Sequence, residues 1–339
     1  MKVCPHCFSD NELKGFVLSS TITGYCEVCA SHNVPLMNIN ELLDFFQELI
    51  DNFQKSSNGE SLKNKIQSNW SFFASDDIAS KILNHILPMI SSELTSSEDL
   101  VDFSADITEN YMYWEELKEE LKWSTRFLLN IKKLTEDLGW DGFFNTQYEL
   151  KPGDKLYRAR MHHQSGMPAF NADAMMSPPP YKVLGGRANP SGIPFLYLSD
   201  NPDTVLYEVR ASFLDELSIG IFQLKDEYKT VKIVDFTEDT PLFQPTKVNE
   251  TIKARLLRER INKDLSKPMR RYDSEIEYIP TQFICEFIKV FTGASGIRFS
   301  SSLHPTGKNV VMFDQKMMQC KSVVLKRVNR LNLTAMELI

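Results

Sequence analysis

Two Cys-x-x-Cys pairs stand near the start of the chain, Cys4-Pro5-His6-Cys7 and Cys26-Glu27-Val28-Cys29, separated by 18 residues. Each pair offers two thiolates from one tight knuckle, and four thiolates close a tetrahedral site of the kind that holds structural zinc. A closed site leaves no position for a substrate, so its expected contribution is to fold the short segment around it. The alternative is four free thiols. His6 and His32 lie nearby and read as bystanders, while Cys285 and Cys320 are isolated and read as buried thiols.

A second set of residues with chemical potential lies in the C-terminal half. Leu156-Tyr157-Arg158-Ala159-Arg160 comes first. Gly185-Gly186-Arg187-Ala188-Asn189-Pro190-Ser191-Gly192 follows and runs into Phe195-Leu196-Tyr197-Leu198-Ser199. Next is Asn201-Pro202-Asp203-Thr204-Val205-Leu206-Tyr207-Glu208-Val209, and finally Gly296-Ile297-Arg298-Phe299-Ser300-Ser301-Ser302 with Gly307-Lys308-Asn309-Val310-Val311-Met312-Phe313. The two glycines permit a tight turn or a close backbone approach to a ligand, with Arg187 projecting from it. Strand alternation places Phe195, Tyr197 and Ser199 opposite Leu196 and Leu198. Asn201 suits a helix N-cap and Pro202 the first helical position, which puts Glu208 in the second turn. Two arginines, a tyrosine, a carboxylate and serine-rich turns suit a nucleotide that carries a diphosphate, because the planar guanidinium fork pairs bidentately with phosphate. Each signal is weak alone: a single Glu on a helix or a single Arg after a strand is ordinarily a solvated side chain.

The elements that must position these residues fall in three zones: 1–38 with the cysteines, 39–147 helical, and 150–330 rich in short strands, Gly and Pro. The change is marked by Leu150-Lys151-Pro152-Gly153. In the middle zone Leu42, Phe46, Leu49 and Phe53 recur at helical spacing over Asn38–Phe53. Ala79, Ile82, Leu83, Ile86 and Leu87 do so over Ile78–Ile90, and Trp114, Leu117, Leu121, Phe127 and Leu128 over Tyr111–Leu134. Residues 91–120 hold ten acidic side chains and one Lys, which reads as a solvated face rather than a partner surface. The last zone predicts strands over Phe195–Ser199, Val231–Phe236, Ile288–Phe291, Ile297–Ser300, Asn309–Phe313 and Ser322–Val328, and helices over Pro202–Phe213 and Ile252–Leu265. The sum is an α+β domain with a largely antiparallel or mixed sheet.

Composition sets outer bounds. The 339 residues are 42% hydrophobic and 24% charged, proportions that exclude a mostly disordered or fibrous chain. A net charge of −7, from 38 basic and 45 acidic residues, argues against a general nucleic-acid partner, although residues 253–271 hold eight basic and two acidic side chains. No run approaches the ~18 apolar residues of a membrane span, no apolar secretory segment is present, and a cytoplasmic protein without a membrane partner is expected.

The ordered C-terminal set resembles the RES-domain family, named for an Arg, a Glu and a Ser. The resemblance covers about residues 150–330. It rests on Leu-Tyr-Arg158, on the block from Gly-Gly-Arg187 through Tyr197 to Glu208-Val, on the run Glu-Tyr-Ile-Pro-Thr-Gln282, and on Gly-Ile-x-Phe-x-Ser301 before Gly-Lys-Asn-Val-Val-Met-Phe. Phe299 stands where the family has Tyr, and the three consecutive serines leave Ser300 and Ser302 as alternatives to Ser301. The resemblance implies an ADP-ribosyltransferase-like fold acting on NAD as substrate. The bond between nicotinamide and ribose would be split by a NAD glycohydrolase or phosphorylase, or ADP-ribose would be moved to a protein. Implied roles are charge stabilisation by Glu208, diphosphate or ribose binding by Arg158 and Arg187, stacking of Tyr197 on nicotinamide, and orientation of Glu208 or the ribose by Ser301. The family includes toxins of toxin–antitoxin pairs, so a toxin or anti-phage defence effector is implied, with an antitoxin or trigger protein bound by the N-terminal domains. Residues 1–38 and 39–147 resemble the zinc-ribbon and HEPN-like region that precedes some RES domains. The Arg-x4-His motif of HEPN nucleases is missing, since Ile131 follows Arg126 at that spacing. A zinc-ribbon adaptor with an inactive RES domain is the alternative of another class.

Overall fold

The computed structural model describes residues 1–145, 147–238, 240–243, 247–268 and 275–330. The chain divides into two compact units, Met1–Trp114 with Asp239–Leu257, and Glu115–Glu238 with Arg258–Ile339.

In the first unit, β1 (Lys2–Val3) precedes helix α1 (Asn11–Leu18), and the short strands β2 (Thr23–Gly24), β3 (Val34–Pro35) and β4 (Met37–Asn38) follow. β1 pairs with β4 and β2 with β3, both antiparallel. Asp10 caps α1, accepting from the Leu13 N–H at 3.0 Å. Its other oxygen accepts from the backbone N–H groups of Leu242 and Phe243 at 2.7 and 3.2 Å, which satisfies a buried carboxylate. Asn38 and Glu41 form a capping box that starts the run into α2 (Leu43–Ile50). Leu42, Phe46 and Leu49 are buried as their spacing requires, but Phe53 already opens strand β5 (Phe53–Ser61). Helices α3 (Leu62–Trp70) and α4 (Asp76–Ile86) come next, then β6 (Leu100–Phe103), which pairs antiparallel with β5, and α5 (Ala105–Trp123). The sequence reading named only helices here. β5 is polar after Phe53, with Gln54, Lys55 and Glu60 along it, and β6 is only four residues long, with Val101 and Phe103 as its buried pair. Trp114, Leu117 and Leu121 are buried, whereas Phe127 and Leu128 are 94% and 90% exposed and belong to no core. α5 has ended before them, so the helical period that would have turned them inward no longer applies.

The second unit is built on one eight-stranded sheet. Its strands are β7 (Gln147–Leu150), β8 (Leu156–Met161), β9 (Leu196–Ser199), β10 (Glu216–Leu224), β11 (Val231–Asp235), β12 (Gly296–Ser300), β13 (Lys308–Met312) and β14 (Met318–Arg327), in the spatial order β14-β10-β8-β9-β13-β12-β11-β7. All pairs are antiparallel except β11–β12, whose connection contains α7 (Val248–Ser266) and α8 (Ile279–Phe291), as a parallel crossover needs. Leu156, Leu196, Leu198, Phe222, Leu224, Val310 and Met312 pack in one core layer, and Ala159, Val205, Leu217 and Ile219 in another. The mixed α+β reading therefore holds, with two local corrections. Ile288–Phe291 is the end of α8 and not a strand, because Ile284, Cys285, Phe287 and Ile288 form a buried helical stripe. The helix expected over Pro202–Phe213 is only α6 (Thr204–Glu208): Arg210 adopts φ +53°, Leu214 φ +70°, and Phe213 is exposed.

The charged stretches find local partners. Lys253 pairs with Asp106 at 2.6 Å, Arg255 lies over the Trp70 ring, and Lys118 bridges Glu115 and Asp264. The last part of the basic run, 269–271, lies outside the described residues.

Candidate active site

β8 and β9 share a single bridge, Tyr157↔Ser199. Residues from both strands line a cavity of about 340 Å³, together with Arg187, Val205, Glu208, Val209, Phe299 and Asn309. The structure thus brings Arg158, Arg187, Tyr197 and Glu208 to one cavity, and Ser301 into contact with Glu208.

Glu208 ends the short helix α6. Its Oε1 accepts a hydrogen bond from Ser301 Oγ at 2.7 Å and another from Asn309 Nδ2 at 2.8 Å. Both donors come from one hairpin. Phe299 and Asn309 face each other in the β12–β13 register, and the Ser301 N–H donates to the Gly307 carbonyl, extending the ladder one pair further. Ser301 therefore shares the face of Phe299 and Asn309. Of the three serines, Ser301 is the one bonded to Glu208. The Ser300 backbone is held from α7, its N–H donating to Asn262 Oδ1 and its carbonyl accepting from Ser266 Oγ, while Ser302 is exposed.

The turn that carries Ser301 is braced from below. The Leu303 and His304 N–H groups donate to Ser301 Oγ at 3.3 and 3.2 Å. His304 Nδ1 bonds to Thr204 Oγ1 at 2.8 Å, and its ring stacks on Tyr207 with centroids 5.0 Å apart. At Gly307 an added Cβ would stand 2.2 Å from Thr204 Oγ1, so only glycine lets the turn close against the start of α6. Asn309 and this His304–Thr204 brace were not singled out from sequence. Asn309 lay in a quoted motif with nothing to mark it apart from its neighbours.

Arg158 sits in β8 opposite Gly220 of β10. Its Nη1 is buried and has no hydrogen-bond partner among the described residues. Burial, with a smaller contribution from Arg160, pulls its pKa down to about 10, so it remains a cation at neutral pH. A desolvated cation without a partner is costly unless an anion arrives.

Arg187 is placed differently from a free side chain on a turn. Its Nη1 donates to the Leu265 carbonyl at 2.8 Å and also to that of Lys267, near the C-terminal end of α7. The loop is fixed by Gln282 Nε2 on the Gly186 carbonyl (2.8 Å) and Thr281 Oγ1 on the Arg187 carbonyl (2.6 Å), which gives the quoted Thr-Gln282 run its purpose. Tyr197 anchors the same loop. Its hydroxyl donates to Asn189 Oδ1 at 2.7 Å and accepts from the Ala188 N–H at 2.9 Å, and burial pushes its pKa up. The hydroxyl is thus committed to the loop, and the ring lines the cavity.

The four N-terminal cysteines also converge. Their sulfurs all lie within 4.8 Å of one another, with Cys4–Cys29 at 3.3 Å, Cys7–Cys26 at 3.5 Å and Cys4–Cys7 at 4.0 Å. A tetrahedral site with metal–sulfur bonds of ~2.3 Å requires sulfur–sulfur edges of about 3.8 Å, so this cluster can hold a metal ion. Burial raises the Cys4 thiol to about 12 and pushes Cys7 higher still, so without a cation these groups stay protonated. His6 instead bonds Ser31 Oγ and His32 packs on Tyr25.

The RES domain family model matches residues 155–333, the span that holds every residue of the cavity. Among solved structures, the M. tuberculosis MbcT–MbcA toxin–antitoxin complex is similar at 14% identity, over 55% of this chain and 88% of that one, with a TM-score of 0.30. No curated protein matches the chain. No described helix is long and apolar enough to cross a membrane. The arginine, glutamate and serine that converge in the second unit thus lie in a matched segment of more than half the sequence, and the chain belongs to the RES-domain family.

Proposed function

We propose that this protein cleaves the nicotinamide–ribose bond of NAD, as a glycohydrolase or phosphorylase, with Glu208 as the group that stabilises the transition state. The observation that carries the reading is one carboxylate held by Ser301 and Asn309 at 2.7 and 2.8 Å, in a cavity that is also lined by Arg158, whose buried Nη1 has no hydrogen-bond partner among the described residues. Membership of the RES family supports NAD as substrate.

The chemistry suits this residue set. The nicotinamide of NAD is already cationic and leaves as a neutral molecule, so no general acid is needed. A single carboxylate then suffices, unlike the pair that flanks the bond in most sugar hydrolases. As the bond lengthens, positive charge grows on the ribose ring, and a fixed carboxylate beside it is worth more than one that must reorient. Arg158 binds the diphosphate, regaining in charge-assisted hydrogen bonds what burial costs it. Arg187 orients the diphosphate or the ribose with the nitrogens not held by α7. The rings of Tyr197 and Phe299 offer apolar surface to nicotinamide.

Loss of NAD halts growth, so the biological role we assign is a toxin or an anti-phage defence effector, with an antitoxin that restrains it or a trigger protein that releases it bound by the N-terminal domains. We assign zinc to the four-cysteine cluster, as a structural ion with no part in bond cleavage. The test is to incubate the full chain with NAD, with and without inorganic phosphate, and follow the products by mass spectrometry beside Glu208→Ala. Nicotinamide with free ADP-ribose or its 1-phosphate, absent in the variant, is the expected result. A labelled protein with no free ADP-ribose would replace this reading with protein ADP-ribosylation. Intact NAD with all supplements would overturn it.

A further inference from the structure

The Glu208 carboxylate carries both of its hydrogen bonds on the same oxygen. Ser301 Oγ and Asn309 Nδ2 both donate to Oε1, and Oε2 receives none from the described residues. Asn309 is in the middle of the sheet, with β13 between β12 and β9, and its backbone register is fixed on both sides by Phe299 and Ser199. Its side chain is half-buried and lines the cavity. Ser301 Oγ accepts from two backbone N–H groups, which aims its O–H at Glu208, but a single donor leaves the carboxylate free to turn about that one bond. The planar amide of Asn309, on a strand with neighbours on both sides, supplies a second fixed direction. Two donors converging on Oε1 set the plane of the carboxylate.

We propose that Asn309 is a positioning residue of this site: it fixes the Glu208 carboxylate through Oε1 so that Oε2 is the oxygen presented to the sugar. The inference rests on the function proposed above for the consequence, but the contact itself stands apart from it. A mispositioned group costs about 10- to 100-fold in rate even when binding is intact, because the bound geometry no longer approaches the reacting one. The loss belongs in kcat, since Asn309 acts on the carboxylate and not on the diphosphate or the base.

The experiment has two readouts. In protein labelled with 15N-asparagine, the side-chain amide signals of Asn309 are identified by their loss in Asn309→Asp, and they shift in Glu208→Ala. Signals that do not move in Glu208→Ala overturn the proposal, whatever the protein does to NAD. The second readout is kinetic. Asn309→Asp keeps the shape of the side chain but replaces the donor with a like charge, so a residue that only fills space would tolerate it. Asn309→Ala is expected to lower kcat by about 10- to 100-fold with KM little changed. Asn309→Asp should lower it at least as much, with the melting temperature held in both. In a Glu208→Ala background, Asn309→Ala should have no further effect on residual turnover. A full additional loss in that background, or wild-type kcat in Asn309→Asp, overturns the proposal. Shifted amide signals in a protein that leaves NAD intact would retain the positioning of Glu208 and remove the substrate assignment.

Discussion

Ser301 shows how much a single residue depends on its frame. Three serines in a row are chemically alike, and only Ser301 reaches Glu208, at 2.7 Å. Ser300→Ala and Ser302→Ala should therefore leave NAD turnover near wild type. Ser301→Ala should lower kcat by about 10-fold or more, since it removes one of two donors that hold the carboxylate we propose as catalytic. Steady-state rates of the three variants check this, and equal losses in all three would break the link between Ser301 and Glu208. The residue types of the site were legible in the sequence, because Arg158, Arg187, Tyr197 and Glu208 sit in an ordered set of motifs, and all four line the cavity. Their division of labour was not. Tyr197 and Arg187 turn much of their bonding capacity inward, to Asn189 and to the end of α7. A sequence lists side chains but not the backbone carbonyls that will compete for them.

At the scale of elements, the site depends on where α6 stops and how the β12–β13 hairpin turns. The sequence predicts a longer helix, over Pro202–Phe213. Positive φ at Arg210 ends it early, and Ala211 N–H turns back to the Leu206 carbonyl. The apparent strand at Ile288–Phe291 misled for the opposite reason. Its β-branched and aromatic residues suit a strand locally, and the buried stripe of α8 overrides that preference. Gly307 is the tightest joint between helix and hairpin, so Gly307→Ala should destabilise by about 1–3 kcal/mol, the usual cost of overpacking. The melting temperature should fall by several degrees, and turnover measured well below the melt should fall as well. A stable, fully active Gly307→Ala protein would show that the Thr204 contact does not hold the turn. At the sheet's other edge, Glu216 of β10 accepts from Arg327 of β14, from the Gly166 N–H at 2.6 Å and from Ser165 Oγ at 3.1 Å. Chiefly through Arg327, these donors hold its pKa at about 2, below an ordinary value of 4.5. A depressed carboxylate contributes stability above its unfolded pKa, and that contribution disappears as the pH falls from about 4.5 towards 2. Acid denaturation of Glu216→Gln should therefore show less loss of stability across that window than wild type, when both are followed by circular dichroism.

For the whole molecule, the sequence set two groups of residues apart: four cysteines that converge on one another, and Arg158, Arg187, Tyr197 and Glu208, which line one cavity. The four cysteines were legible because Cys-x-x-Cys spacing is a local property. The segment Asp239–Leu257 was not legible as part of the first unit, since its place there is set by contacts distant in sequence, such as Asp10 with Leu242 and Phe243. Metal removal tests the first kind of chemistry on the intact chain. Burial holds the Cys4 and Cys7 thiols protonated without a cation, so each must release a proton when a metal binds. Affinity should then weaken steeply as the pH falls, because protons compete for the same sulfurs. The purified protein should carry one zinc per chain by elemental analysis. A chelator at mildly acidic pH should strip it more readily than at alkaline pH. Phe8, next to Cys7, packs against Phe72 and Phe73 with ring centroids 5.8 and 6.1 Å away, so metal loss should disturb the aromatic circular dichroism of this cluster. Calorimetry of the full chain should resolve a transition that moves to lower temperature with chelator and returns with zinc. Purified protein without zinc, whose melting responds neither to chelator nor to added zinc, would mean that the four cysteines persist as free thiols, the alternative that their spacing left open.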